Sequence, residues 1–321
     1  FFKQKTAYEL SLGRVGAEMC IRDRIFGELP LLAKLSAIFT DIKIQHTVFA
    51  LPFAVMSAFI AAGGLPETEK LVWIVMCMVG ARSAAMAFNR IIDARFDAKN
   101  PRTQGRAIPS GQVDESTYWL FLIAFSLVFI FSAGMLNQLA LYLSPLALII
   151  IFFYSLTKRF TVYSHFWLGL AISIAPVGAW VAIREEISFV SLLLGTAVVF
   201  WLVGFDILYS CMDVEFDREN NLKSIPQKFG IENALRIAFV SHGLMILFLV
   251  VLLQFVDELG ILYSVGVIIV AGLLIYEHSL VRPDDLSKIN IAFFNMNGII
   301  SIGLMLFVIA DYVWMLSLIH I

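Results

Sequence analysis

The chain contains two acidic motifs whose aspartates have the same spacing. Residues 89–97 read NRIIDARFD, and residues 209–217 read YSCMDVEFD. Each motif holds two aspartates four residues apart, and each is followed by a loop with a basic residue before an Ile-Pro pair, at 106–109 and 223–226. A single acidic residue at a helix end is commonly an interfacial charge. Two copies with matching flanking residues instead indicate one binding motif that occurs twice in the chain.

Helical geometry puts the polar residues of the first motif on one face. Successive residues of an α-helix turn by about 100°, so residues four apart drift by only about 40°. Asn89, Asp93 and Asp97 therefore form a stripe, and Arg82 extends it by about two turns in the N-terminal direction. The first motif is predicted to present an arginine, an amide and two carboxylates in one direction.

The second motif gives a similar stripe. On one continuous helix, Asp206, Asp213 and Asp217 would fall within an arc of about 40°. Tyr209 would lie beside them. If the two motif helices face each other, the carboxylates of both motifs converge.

Converging carboxylates need positive charge, because they repel and raise each other's pKa values. Mg²⁺ suits such hard oxygen ligands, and it is held by one or two carboxylates together with substrate phosphates. The loops after the motifs supply cations for the remaining phosphate charge, namely Lys99, Arg102, Arg106, Arg218, Lys223 and Lys228. The residues thus predict a magnesium-bridged diphosphate between two helix ends.

The composition places these helices in a membrane. The chain has 321 residues, of which 60% are hydrophobic and 15% are charged. Soluble domains are roughly 45–50% apolar and about 25% charged. Only three cysteines and a net charge of −2 argue against a disulfide scaffold and against a nucleic-acid partner. We therefore predict a polytopic protein of the lipid bilayer.

A helix needs about 20 residues to cross a bilayer, and nine apolar stretches are close to that length. Period-2 alternation is absent, so the predicted class is all-α with nine transmembrane helices. With the N-terminus inside, the inner segments carry 15 Lys and Arg and the outer loops carry two, which predicts that both motif loops are cytoplasmic. The stretches lie at 47–64, 71–88, 117–136, 139–157, 166–183, 190–209, 235–256, 261–277 and 291–310.

Both ends of the chain differ in pattern from the rest. Residues 1–24 lack the apolar region of a signal peptide and are interpreted as a non-native segment, as are residues 317–321. Residues 25–316 are predicted to form a single membrane domain.

The motifs resemble those of a known family. The stretch 89–111 follows the pattern N-R-x-x-D-x-x-x-D-x-x-N-P-R-T-x-x-R-x-x-P-x-G, which resembles the first signature of the UbiA superfamily of intramembrane prenyltransferases. The stretch 206–217, D-x-x-Y-x-x-x-D-x-x-x-D, resembles the second signature, and the likeness extends over about 35–310. It implies helices ringed around a central cavity open to the membrane, with two Mg²⁺ ions holding a polyprenyl diphosphate.

Roles follow from the resemblance at matching positions. It implies that Asn89, Asp93 and Asp97 hold one magnesium ion and that Asp213 and Asp217 hold the other. It also implies that basic residues of the following loops bind the diphosphate, and that the protein resides in a bacterial cytoplasmic membrane and acts in quinone biosynthesis.

A further stretch suggests the acceptor. Residues 154–159, YSLTKR, match a segment of the 4-hydroxybenzoate-type members, which implies that Lys158 and Arg159 lie near the carboxylate of a small aromatic acceptor. Taken alone, this pair is more typical of a positive-inside anchor at the end of a span. A dihydroxynaphthoate of the menaquinone pathway also presents a phenol and a carboxylate, so it is the alternative acceptor.

Three residues are candidates for the chemical step. Asp206, Tyr209 and Arg82 are grouped as catalytic, with Asp206 steering either an allylic cation or the phenol. The histidines are scattered without ligand spacing, so neither haem nor zinc is predicted. A transporter also has acid-lined helices and internal repeats, but its sites lie near the bilayer midplane. The motifs here lie at helix ends, which favours an enzyme.

Overall fold

The computed structural model describes residues 31–42, 49–289 and 296–319. These residues form helices and connecting turns, with a single isolated bridge between Arg282 and Asp285. The predicted all-α class is confirmed. The helices are α1 Leu31–Asp41, α2 Leu51–Ala62, α3 Thr68–Asp97, α4 Glu115–Leu136, α5 Gln138–Thr157, α6 Ser164–Arg184, α7 Phe189–Ser210, α8 Val214–Glu219, α9 Ile225–Phe229, α10 Ile231–Leu252, α11 Ile261–Leu280 and α12 Asn297–Ile319.

Eight helices of the described residues are long and apolar enough to cross a membrane. They correspond to eight of the nine predicted spans. The remaining span, 47–64, contains the 12-residue helix α2, and residues 43–48 before it lie outside the described part of the chain. Residues 1–24 also lie outside it, whereas helix α12 continues through Ile319 into the tail that the sequence marked as non-native.

Helix α7 lies at the centre of the bundle. About 67% of its most apolar stretch is buried, against 22–44% for the other spanning helices. Its Trp201 is fully buried and packs against Phe53 of α2, with ring centroids 4.8 Å apart. Gly169 of α6 lies so close to α7 that a Cβ there would be 2.9 Å from the Val199 carbonyl oxygen. Such close packing of small residues is a main source of helix association in lipid.

Helix α1 was not predicted from the sequence, and it clamps the end of the bundle that carries the motifs. Ile38 of α1 and Ile42, which follows it, are fully buried against the start of α4 and the loop after α3. Asp41 accepts hydrogen bonds from Arg90 Nε at 3.1 Å and from the Tyr118 hydroxyl at 2.5 Å. These contacts join α1, α3 and α4, so they hold the base of the loop that follows the first motif.

Candidate active site

The first motif lies on a single uninterrupted helix, as its spacing predicted. Helix α3 continues beyond the predicted apolar stretch, which ends near residue 88, and ends at Asp97. The Asn89 side-chain amide donates a hydrogen bond to Asp93 Oδ2 at 2.8 Å. Asn89 and Asp93 therefore lie on one face of α3, and the Asn89 amide orients the Asp93 carboxylate.

The second motif is not on one continuous α-helix, which corrects the predicted 40° arc. Helix α7 ends at Ser210, residues Cys211–Asp213 form a 3₁₀ turn, and α8 begins at Val214. A 3₁₀ turn has about 3.0 residues per turn instead of 3.6, so it rotates everything after it relative to α7. The directions of Asp213 and Asp217 relative to Asp206 thus depend on this local break.

The second aspartate of each motif anchors the loop that follows it. Asp97 is buried and accepts both contacts of Arg106 Nη1, at 2.7 and 2.6 Å. Asp217 is also buried and accepts a hydrogen bond from the Ser224 hydroxyl at 2.8 Å. The sequence repeat is therefore also a structural repeat, in which a buried carboxylate fixes a basic loop.

The first aspartate of each motif instead meets an arginine from a different segment. Arg159 donates to Asp93 Oδ1 at 3.3 Å and to the backbone carbonyl of Ile92 at 2.8 Å. Arg102, from the loop after the first motif, donates to Asp213 of the second motif at 2.5 Å. The two motifs thus lie at the same end of the bundle and are joined directly by an ion pair.

Lys158, which follows α5, lies in the field of both motifs. Burial alone lowers the pKa of its ammonium, while the charges of Asp217, Asp206, Asp213 and Asp93 raise it, and the balance is a pKa above the usual value. Three motif carboxylates and Asp206 therefore act on the charge of Lys158, and the convergence of all four motif carboxylates stays a prediction.

The remaining predicted loop cations have different surroundings. Lys99 and Arg218 are exposed, at the ends of their motif helices. Lys223 donates through Nζ to the Phe160 carbonyl at 3.0 Å, and its backbone N–H donates to the Lys158 carbonyl at 2.7 Å. Lys223 thus ties the loop of the second motif to the turn after α5.

An apolar cavity of about 430 Å³ is lined by residues of α3 to α7 and by Phe49 and Ala50, which precede α2. Among its described lining residues, Arg82 of α3 and Asp206 of α7 are the charged ones, with Tyr154 and Ser144 among the polar ones. Arg82 lies seven residues before Asn89, which on α3 is about 10 Å deeper, and Asp206 lies seven residues before Asp213. Lys158 and Arg159 do not line this cavity, so their predicted contact with an acceptor stays a prediction.

Tyr209 also has a position outside the cavity lining. Its ring lies under the Arg102 guanidinium, 5.0 Å from the ring centroid. This cation–π contact holds Arg102 toward Asp213. A catalytic role for Tyr209 stays a prediction, and its observed contact is with a cation of the diphosphate loop.

One polar residue of the site was missed in the sequence. His165, at the start of α6, is fully buried and lies 2.6 Å from Asp206, measured between Nδ1 and Oδ2. Its other ring nitrogen accepts a hydrogen bond from the backbone N–H of Ile225 at 3.3 Å. No spacing rule could reveal it, since these two partners are 41 and 60 residues away.

The residues fit a magnesium site by donor chemistry. In the described part of the chain, no group of three His, Cys, Asp or Glu side chains is already arranged around a common ion position. The oxygens that converge are nevertheless carboxylates and an amide, and Lys158 and Arg102 supply the positive charge among them. A cluster that gathers cations from its own chain in this way suits a hard divalent cation bridged to phosphate.

Comparison with known proteins gives consistent results. A model described as the UbiA prenyltransferase family matches residues 50–299. The 4-hydroxybenzoate octaprenyltransferase of Marinobacter nauticus is 32% identical over 247 residues, which cover 74% of this chain and 81% of that protein.

Solved structures show the same fold. A UbiA homolog from Aeropyrum pernix K1, solved in the apo state, has a TM-score of 0.73 at 29% identity, covering 85% of this chain and 98% of the other. A UbiA homolog from Archaeoglobus fulgidus, solved with DMAPP and Mg²⁺, has a TM-score of 0.66 at 20% identity, covering 86% and 99%. At 20% identity the likeness concerns the fold.

Proposed function

Because the chain belongs to the UbiA prenyltransferase family, we propose that it transfers a polyprenyl group from polyprenyl diphosphate to a ring carbon of a hydroxylated aromatic acid. The observation that carries the proposal is the pairing of an apolar cavity, charged at Arg82 and Asp206, with two acidic motifs that follow these residues in the chain. The relatives named 4-hydroxybenzoate octaprenyltransferase support 4-hydroxybenzoate as the acceptor.

The diphosphate binds between the two motifs. Asn89, Asp93 and Asp97 hold one Mg²⁺, and Asp213 and Asp217 hold the other. When bound, Mg²⁺ supplies the positive charge that stabilises a leaving diphosphate. Arg102 and Arg106 already lie in this region on their aspartates, and the exposed Lys99, Arg218 and Lys223 complete a basic rim. With Mg²⁺ held by the carboxylates, the side chains of Arg102 and Arg106 would be free to donate to phosphate oxygens.

The acceptor binds in the cavity. Arg82 is the cation among the described lining residues, so its guanidinium is the natural partner of the acceptor's carboxylate. Asp206, on the facing helix, accepts a hydrogen bond from the phenolic hydroxyl and raises the electron density of the ring. Arg159, which the sequence suggested for the acceptor, is bonded to Asp93 and to the Ile92 carbonyl and so positions the first motif.

The reaction then needs a dry pocket for a reactive intermediate. The bond between the prenyl carbon and the diphosphate oxygen breaks, and its electron pair leaves with the diphosphate. The resulting allylic cation is shielded from water by the apolar lining. The ring carbon ortho to the hydroxyl supplies the electron pair of the new carbon–carbon bond, and the ring proton passes to a base, either Asp206 or the released diphosphate.

Membrane placement completes the proposal. The protein lies in a bacterial cytoplasmic membrane with both motif loops on the cytoplasmic side, in support of which its inner segments carry 15 Lys and Arg and its outer loops two. A long isoprenoid tail can then remain in lipid while its diphosphate meets the motifs. The product belongs to quinone biosynthesis.

The direct test uses membranes that carry the protein, a long-chain prenyl diphosphate and Mg²⁺, with the product followed by mass. Prenylated 4-hydroxybenzoate, absent when Mg²⁺ is chelated, is the expected result. A prenylated dihydroxynaphthoate instead would keep the chemistry and change the acceptor. No product with either acceptor, together with vesicle uptake of a solute, would refute the proposal in favour of a transporter.

The acceptor site is tested by a matched pair of arginine variants. Arg82→Gln is expected to raise the KM for the aromatic acid and leave the KM for prenyl diphosphate nearly unchanged. Arg159→Gln is expected to act on the prenyl diphosphate and Mg²⁺, because its partner is Asp93. The reverse pattern would return the acceptor carboxylate to Arg159.

A further inference from the structure

His165 joins the second motif loop to the floor of the cavity. Ser224 and Ile225 are neighbours in that loop. The Ser224 hydroxyl bonds Asp217, and the Ile225 backbone N–H bonds His165 Nε2. His165 in turn contacts Asp206, which lines the cavity. Three hydrogen bonds, together with the backbone between Ser224 and Ile225, thus connect the Asp217 carboxylate of the second motif to Asp206.

The partners of His165 fix its tautomer. A backbone N–H can only donate, so Nε2 must carry the lone pair and Nδ1 must carry the proton. Nδ1–H therefore donates to Asp206 Oδ2, at 2.6 Å. An N–H at Nε2 would point at the Ile225 N–H, so this backbone contact favours the tautomer in which Nδ1–H faces Asp206.

We propose that His165 is a positioning residue, which holds the Asp206 carboxylate in the orientation that meets the acceptor hydroxyl. It does so only when the loop at Ser224–Ile225 is in place. This inference rests on the proposed function. His165 itself is fully buried and does not line the cavity, so it acts through Asp206 and not on the substrate.

Two isosteric changes separate the contacts of His165. The amide nitrogen of His165→Asn lies where Nδ1 lay, so this variant can still donate to Asp206. The end of His165→Gln lies where Nε2 lay, so this variant can still accept from Ile225. His165→Leu removes both contacts.

The variants are assayed for kcat and for both KM values. We expect His165→Leu and His165→Gln to lower the acceptor kcat/KM by about 10- to 100-fold, as misplacement of a catalytic group does. His165→Asn should stay within about threefold of wild type, and the KM for prenyl diphosphate should stay constant throughout. His278→Asn, at a half-buried histidine that contacts His242 and not the site, is the control and should be unchanged.

A double-variant test separates positioning from loop stability. In an Asp206→Ala background, His165→Leu should cost little more, because the side-chain oxygens through which His165 acts are already gone. Additive losses, or a Gln variant better than the Asn variant, would overturn the inference. Mg²⁺-dependent binding of a non-reactive prenyl thiodiphosphate checks that each variant is folded. A wild-type protein without product would refute the proposed function itself, whereas an active wild type with unaffected variants would refute only the role of His165.

Discussion

Alanine variants of the four motif aspartates should separate into two pairs by stability, although all four lose activity. Asp93 and Asp213 face cations from other segments, whereas Asp97 and Asp217 are buried anchors of their own loops. Loss of any metal ligand removes several kcal/mol of transition-state stabilisation. At about 1.36 kcal/mol per tenfold in rate, each variant should lose roughly three or more orders of magnitude in kcat.

The difference in stability depends on which group loses its hydrogen-bond or ion-pair partner when each aspartate is removed. Without Asp217, the fully buried Ser224 hydroxyl loses its acceptor, which costs about 1–3 kcal/mol. Without Asp97, Arg106 loses a charge-assisted bond of about 1.5–3 kcal/mol, and at 28% exposure it recovers part of this from water.

Removal of Asp93 or Asp213, the pair that faces cations from other segments, should reduce the stability much less. Arg159 and Arg102 are 37% and 38% exposed, so they turn to solvent once Asp93 or Asp213 is removed. Exposed ion pairs contribute about 0–1 kcal/mol. With roughly 2–4 °C in Tm per kcal/mol, a loss of about 2 kcal/mol in the buried pair should lower Tm by about 4–8 °C, and the facing pair should lower it by about 0–4 °C.

The measurement is thermal unfolding in detergent without Mg²⁺, followed by the Mg²⁺-dependent release of diphosphate from a prenyl diphosphate. Asp97→Asn and Asp217→Asn are the matched controls, since they keep an acceptor oxygen for the loop and should recover most of the Tm without recovering activity. Equal Tm shifts for all four alanine variants, or near-normal turnover by Asp93→Ala or Asp213→Ala, would refute the reasoning.

Three further variants test other contacts. Lys158→Met removes the cation among the motif carboxylates, so Tm should fall in a chelator and Mg²⁺ should raise it more than in wild type; an unchanged Mg²⁺ response would contradict this. Gly169→Ala should destabilise by about 1–3 kcal/mol, because its Cβ meets the α7 backbone, whereas Gly178→Ala, with nothing within 4 Å, should not. Asp311→Ala should lower Tm by several degrees, since Asp311 accepts the backbone N–H groups at the start of α11.

Much of the fold could be predicted from local patterns. Hydropathy alone identified the long spanning helices, because lipid requires each span to be apolar over its whole length. It gave no sign of α1, since that helix is short and is held by Asp41 contacts with Arg90 and Tyr118. Within the span predicted at 47–64, the described residues form the 12-residue helix α2.

The site was predicted less completely. The four-residue spacing correctly brought Asn89 and Asp93 onto one face, because α3 is regular. The same rule failed across Cys211–Asp213, where a 3₁₀ turn changes the register. The family likeness suggested Lys158 and Arg159 for the acceptor, whereas both contact or face the motif carboxylates in the folded protein.

The sequence by itself determined the all-α membrane class, the two repeated acidic motifs and the oxygen-ligand chemistry they offer. These are properties of composition and of neighbours within one or two helical turns. Only the tertiary structure decided which cation neutralises which aspartate, that Arg82 and Asp206 line one cavity, and that His165 holds Asp206. The physical reason is that each of these contacts joins segments far apart in the chain, and helix packing brings them together.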